Sequence, residues 1–259
     1  MLRQRARGAC VFLVASLAQL ACEPAVPACY GTPSWPAEPP LQEPAGLHVL
    51  SDQSWNALRT TGWGYLRRTS SKDDDICTDS AAGRSVLRIV FTRDMAPNTE
   101  PSVHWIGLPS VRAVYAAWWV KLSSNWTPSP AGGGKISFLH TATQHIYINI
   151  GGSRAPHRIN MDPEWAPYGQ SFWEPNVTTT KIYYGQWYRI EWYMQWESSP
   201  GARDGIIRWW VNGVLNGDYT TVRYPDDSGF QQFEFAPTRQ NPPPVEQYMY
   251  IDHTYVSIQ

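Results

Sequence analysis

Residues 185–217 constrain the fold more than any other stretch, because two consecutive runs there alternate strictly in side-chain character. Tyr188, Ile190, Trp192, Met194 and Trp196 occupy one phase of the first run; Arg189, Glu191, Tyr193 and Gln195 occupy the other. A period of two is a strand pattern, since successive strand side chains point to opposite faces. A turn around Pro200, Gly201 and Asp204-Gly205 follows, after which Ile207, Trp209 and Val211 alternate with Arg208 and Trp210. Asn212-Gly213 then supplies the dipeptide favoured in two-residue hairpins, where both positions take positive φ. Each strand thus has an apolar face for a core and a second face of aromatic, amide and charged groups.

The same period runs through most of the chain, and no helix of ordinary length is expected. Strands are predicted at His48–Leu58, Val86–Thr92, Val111–Leu122, Ile136–Thr141, His145–Gly151, Arg158–Met161, Thr178–Tyr184, Trp187–Trp196, Ile206–Val211, Thr220–Tyr224, Phe230–Phe235 and Tyr248–Ile258. Gly, Pro, Asn and Asp clusters separate them, and Asp73-Asp74-Asp75 reads as a polar loop. Arg112, Val114, Ala116, Trp118, Val120 and Leu122 share one face, opposite Tyr115, Trp119 and Lys121. Ile146, Ile148 and Ile150 oppose His145, Tyr147 and Asn149, while Ile159 and Met161 oppose Arg158 and Asn160. The expectation is an all-β, two-sheet antiparallel sandwich. Trp118, Val120, Ile146, Ile148, Ile190, Trp192, Trp209 and Val211 should lie between its sheets.

The N-terminus reads as a targeting segment over residues 1–21, with Arg3, Arg5 and Arg7 before a short apolar stretch. Cys22 follows Leu20-Ala21 and is a candidate lipid-attachment site, the one route by which this chain would meet a membrane. Export, to the cell surface or beyond, is expected. Residues 22–46 hold seven prolines and read as an extended linker before a domain over 47–259. Losing residues 1–21 changes 21 basic against 22 acidic residues to 18 against 22, a net charge of about −4. That balance excludes nucleic acid as the natural partner, because phosphate binding needs a basic surface. Cys29 and Cys77 could pair in an oxidising compartment, and no Cys/His cluster has zinc spacing.

Fourteen Trp and fourteen Tyr stand against seven Phe. Trp and Tyr combine an apolar face with a polar tip and suit surfaces that stack on sugar rings. Tyr115, Trp119, Tyr147, Tyr193 and Trp210 are the candidate stacking platforms. Lys121, Asn149, Arg189, Glu191, Gln195 and Arg208 are candidate partners for sugar hydroxyls. Tyr115, Trp119, Tyr147, Tyr193 and Trp210, with His145, Asn149, Arg189 and Glu191, are expected on one sheet surface.

The order Gly185-x-Trp187-x-x-x-Glu191, Pro200-Gly201-x-x-Asp204-Gly205, Trp210-Val211-Asn212-Gly213 and Tyr248-Met-Tyr-Ile-Asp252 resembles the jelly rolls of the concanavalin A-like lectin/glucanase superfamily. The resemblance is nearest to its polysaccharide-lyase-like members and related secreted bacterial proteins, and it spans residues 47–259. It implies a jelly roll and an interaction with polysaccharide, in a monomer that requires no cofactor. It also implies an enzyme alternative, β-elimination on a uronic-acid polymer. That chemistry needs a carboxylate neutraliser, a base and an acid. His145, Tyr147 and His140 are the candidate proton-transfer groups, and Arg158, Arg189 or Arg208 the clamp. The sequence departs from alginate-type lyases at Gln144-His145 and in its terminal strand. The superfamily's glucanase motif is absent; Asp162 and Glu164 are two apart, but Pro163 argues against a central strand there. In related jelly rolls a terminal-strand acid helps hold a structural calcium, which makes Asp252, with Asp52, a candidate ligand; a hydrogen-bonded Asp closing the sheet is the alternative. A surface adhesion or structural role is the third functional reading.

Overall fold

The structure, a computed structural model, describes residues 35–67, 73–79, 83–129, 134–169 and 171–259. The predicted targeting segment, Cys22 and Cys29 lie outside the described residues. Among the described residues fourteen strands are formed: β1 (His48–Gln53), β2 (Gly64–Arg67), β3 (Asp74–Asp79), β4 (Arg84–Phe91), β5 (Ser102–Val111), β6 (Ala113–Leu122), β7 (Lys135–His140), β8 (His145–Gly151), β9 (Arg158–Pro163), β10 (Trp187–Gln195), β11 (Gly205–Val211), β12 (Val214–Val222), β13 (Phe230–Phe235) and β14 (Gln247–Ile258). They make two antiparallel sheets. The eight-stranded sheet runs β12-β11-β10-β6-β14-β4-β3 with β1 paired to β14, and the six-stranded sheet runs β2-β5-β13-β7-β8-β9. This is the expected all-β jelly-roll sandwich.

The eight residues predicted for the core are each no more than 3% exposed and belong to one cluster between the sheets. Burying large rings in this layer supplies much of the apolar area removed from water. Asn212 and Gly213 take φ of 52° and 76°, as a tight hairpin between β11 and β12 requires. Several details differ from expectation, among them two unpredicted strands, β2 and β5. The acidic run is not a loop throughout, since Asp74 begins β3 on the edge of the eight-stranded sheet. Residues 178–184 form no strand; Ile182 makes a single bridge to His157. Arg112 falls between β5 and β6 and pairs with Asp227 at the surface, outside the core face assigned to it.

Pro163 does lie in β9, which is tolerated because β9 is the sheet's edge strand and Pro163 has β8 on one side only.

Polar ties join the two layers. Asp74 is fully buried and accepts from Tyr65 (2.7 Å) and Arg67 (2.7 Å), with His104 Nε2 at 2.9 Å. Tyr65 and His104 lie on β2 and β5, so this carboxylate from one sheet is held by donors from the other. Burial by itself raises a carboxyl's pKa, but the bonds from His104, Arg67 and Tyr65 outweigh it and hold Asp74 below its ordinary value. Nearby, Cys77 is fully buried and disulfide-bonded.

The Pro-rich segment, from Trp35 onward, lies along the outer face of the eight-stranded sheet. The Trp35 ring sits 5.0 Å from that of Trp119 and 4.6 Å from that of Trp187. Arg189 donates to the Pro39 carbonyl and, at 2.6 Å, to the Pro40 carbonyl, while the Gln42 amide donates to Glu191 at 2.7 Å.

Removing one partner from a buried ionic cluster leaves the other charges uncompensated. Asp74→Ala should therefore lower stability by about 3–5 kcal/mol, read from the denaturant midpoint. A depressed folded pKa gives stability that is present above the unfolded value of 3.8 and lost as pH falls through the folded value. Wild type should thus lose more stability than Asp74→Ala between pH 5 and pH 2. Parallel acid profiles would contradict this account.

Candidate functional site

Register across the six-stranded sheet sets one row of side chains on its outer face. Gly64 pairs with Trp105, Trp105 with Glu234, Glu234 with Phe138, Phe138 with Tyr147, and Tyr147 with Asp162. Six positions at the usual strand spacing span about 24 Å. A second row beside it runs Gly107, Gln232, His140 and His145. A third row holds Lys135, Asn149 and Asn160. The opposite phase of these strands carries Ile106, Phe233, Phe235, Leu139, Ile146, Ile148 and Met161 into the core.

The rings of the face touch. The Phe138 ring lies 5.4 Å from Tyr147 and 5.5 Å from His145, and the two imidazoles lie 5.5 Å apart. Trp105 packs at the end of the same apolar cluster, with Val103 and Ala236 beside it. A Cβ on Gly64 would fall 2.1 Å from the Trp105 ring, so only glycine permits the indole to lie there. Trp105, Gln232, Glu234, His140 and His145 are half-buried, while Phe138 and Tyr147 are buried.

Charges on the face are paired internally. Lys135 Nζ lies 3.3 Å from Glu164 and His145 Nε2 lies 2.5 Å from the same carboxylate. His140 Nε2 lies 2.9 Å from Glu234, which also accepts from Gln232 at 2.6 Å. Arg158 is bidentate to Glu174, with one bond of 2.7 Å. The Tyr147 hydroxyl donates to Asp162 at 2.6 Å. Burial pushes the Asp162 carboxyl up, against the bond from Tyr147. It also pushes the Tyr147 phenol up, with Asp162 adding to the effect, and pushes the His145 imidazole down despite the nearby Glu164.

The structure does not assemble the predicted single surface. His140, His145, Tyr147, Asn149 and Arg158 do share the outer face of the six-stranded sheet. Tyr115, Trp119, Lys121, Arg189, Glu191, Tyr193, Gln195, Arg208 and Trp210 lie on the outer face of the eight-stranded sheet instead. The alternation places a residue on the outside of its own sheet but says nothing of which sheet that is. On the eight-stranded side most of these groups are committed to the fold. Tyr115 donates to Glu191, which Arg189 grips at 2.6 Å beneath the Pro-rich segment, all three at most 2% exposed. Lys121 is buried against Asp79 at 2.8 Å, with the Trp187 and Tyr250 rings on either side. Trp119 is covered by Trp35, Tyr193 donates to Gln195 at 2.7 Å, and Arg208 pairs with Asp218 at 2.6 Å.

The two carboxylates read as calcium ligands face different basic side chains. Asp252 faces Arg84 at 3.2 Å and Asp52 faces His253 at 2.9 Å. Among the described residues no three His, Cys, Asp or Glu side chains come together to hold a metal.

Several residues of the face escaped the sequence. Trp105, Gln232 and Glu234 flank core phenylalanines or sit in an unpredicted strand, and Asp162 and Glu164 were noticed only as a pair. Alternation against Phe233 and Phe235 was the signal that could have found Gln232 and Glu234.

No protein-family model matches the sequence, and no curated protein does. Solved structures share the fold. An alginate lyase in complex with an alginate trisaccharide is similar over 80% of this chain and 97% of that one, at 16% identity and a TM-score of 0.58. An endo-β-1,4-glucuronan lyase from the fungus Trichoderma reesei is similar over 81% and 96%, at 15% identity and 0.58. The carbohydrate recognition domain of Emp47p is similar over 82% and 96%, at 12% identity and 0.52. At these identities what is shared is the architecture, the concanavalin A-like jelly roll.

If the eight-stranded face is structural, Glu191→Ala strands a buried guanidinium and should cost about 3–5 kcal/mol in the denaturant midpoint. A midpoint within about 0.5 kcal/mol of wild type would return Glu191 to the list of surface ligands.

Proposed function

We propose that the protein binds an extracellular polysaccharide across the outer face of its six-stranded sheet. The observation that carries the reading is the central row, where Trp105, Phe138 and Tyr147 align along one cross-strand register. Half-buried Trp105 is the ring of this row with a face open to a pyranose, while Phe138 and Tyr147, buried with Lys135 Nζ 5.5 Å and 3.9 Å from their ring centres, form the floor beside it. Gln232, His140 and His145 on one flank, and Lys135, Asn149 and Asn160 on the other, offer donors and acceptors for hydroxyls. The similar structures add weight, since they include lyases of alginate and of glucuronan and a carbohydrate recognition domain.

A β-elimination reading also draws on this face, because burial pushes the His145 pKa down and its ring lies 6.3 Å from that of Tyr147. It loses ground at Tyr147, whose hydroxyl is engaged by Asp162 and whose pKa is raised. Its decisive requirement is a substrate that carries a carboxylate.

Trp105→Ala should weaken polysaccharide binding about 10-fold, roughly 1–2 kcal/mol, measured by affinity electrophoresis or calorimetry. Gly64→Ala should weaken it in the same direction by displacing the indole. Arg208→Gln, on the other sheet, should leave affinity unchanged. Binding that survives Trp105→Ala but falls in Arg208→Gln would move the site to the opposite face.

A further inference from the structure

Resting on that reading of the face, we infer that its ligand is an uncharged glycan and not a polyuronate. A uronic-acid polymer brings a negative charge on each sugar, and a site that takes it must present cations that are free to turn toward the ligand. The outward basic groups on the strands of the six-stranded sheet are Lys135, His140, His145 and Arg158. Each already faces a carboxylate of the protein: Glu164 for Lys135 and His145, Glu234 for His140, and Glu174 for Arg158. No basic side chain is left over among these. A polyanion would also have to approach Glu164, Glu174, Glu234 and Asp162, the acids that sit beside these groups.

The acids do not make the face a site for a polycation, because they are engaged in the same way. Glu164 and Glu174 face Lys135 and Arg158, Glu234 accepts from Gln232 with His140 Nε2 2.9 Å away, and Asp162 accepts from Tyr147. What the face offers outward is the half-buried Trp105 ring, the Gln232 amide and the imidazoles of His140 and His145, with its charge settled internally. That is the complement of hydroxyls on a neutral pyranose backbone. The inference also bears on chemistry. β-Elimination removes the proton beside a sugar carboxylate, which acidifies it and holds the resulting charge; a neutral glycan has no such proton. His145 and Tyr147 would then hold sugar hydroxyls and not run an elimination.

The test is a panel of polymers against the full-length protein in affinity electrophoresis and calorimetry. It comprises a neutral β-glucan, a xylan and a mannan; alginate, polyglucuronate and polygalacturonate; and chitosan as the polycation. The expected result is binding to at least one neutral polymer, at least 10-fold tighter than to any polyuronate at low salt. That affinity should change less than 2-fold on going to 0.5 M salt, because hydrogen bonds and stacking are not screened. Glu164→Gln should release Lys135 and His145 and raise polyuronate affinity several-fold at low salt only. Tighter binding to a polyuronate or to chitosan than to every neutral polymer would overturn this inference while leaving glycan recognition standing. Binding to none of the seven would overturn both.

Discussion

Strand register in the six-stranded sheet is the constraint on which the candidate site depends. A slip of one residue in any strand would exchange its two faces. Phe233 and Phe235 are fully buried in the core, so Glu234 must point outward between Trp105 and Phe138, and Gln232 between Gly107 and His140. Ile146 and Ile148, also fully buried, place His145 and Tyr147 outward by the same rule. The hydrophobic effect thus positions the polar row without any device devoted to it. The residues that stabilise the sandwich and those that face a ligand are neighbours in sequence and opposite in direction.

The two outer faces use similar chemistry to different ends. On the eight-stranded sheet Arg189–Glu191 and Lys121–Asp79 are almost fully buried, and the Pro-rich segment supplies carbonyls, a main-chain amide and the Trp35 ring above them. Buried pairs of this kind fix geometry more than they add stability, since desolvation offsets most of the attraction. Proline suits the covering segment because it is already extended and brings a carbonyl acceptor with no amide of its own to satisfy. On the six-stranded sheet the pairs are about a third exposed on their basic side, as with Lys135 and His145, so their charges are balanced without being sealed.

The fold was legible in the sequence because period-two alternation is a local property and the core rings made it strong. Trp118, Trp192 and Trp209 announced the interior, and Asn212-Gly213 announced its hairpin. The strand at 102–111 was harder to read, since Gly107 and Pro109 interrupt the alternation and His104 turns inward to a carboxylate from another sheet. The site was legible only in part. His145, Tyr147 and Asn149 came from one strand and stayed together, whereas Tyr115, Trp119 and Trp210 carry the same outward pattern on the other sheet. Strand order across a sandwich is set by contacts far apart in sequence, such as β6 with β14 and β13 with β7, and local pattern does not encode them. Nor does proline content distinguish a free tether from a segment laid on a sheet.

The central claim is that a glycan lies along the row from Trp105 to Asp162. Amide and indole N–H resonances followed by NMR while a neutral oligosaccharide is added test this most directly. The account predicts that the Trp105 indole, with the amides of Phe138, His145, Tyr147 and Gln232, shifts with one common affinity, while the indoles of Trp119, Trp187 and Trp210 stay in place. Shifts confined to those three, with Trp105 unmoved, would contradict it.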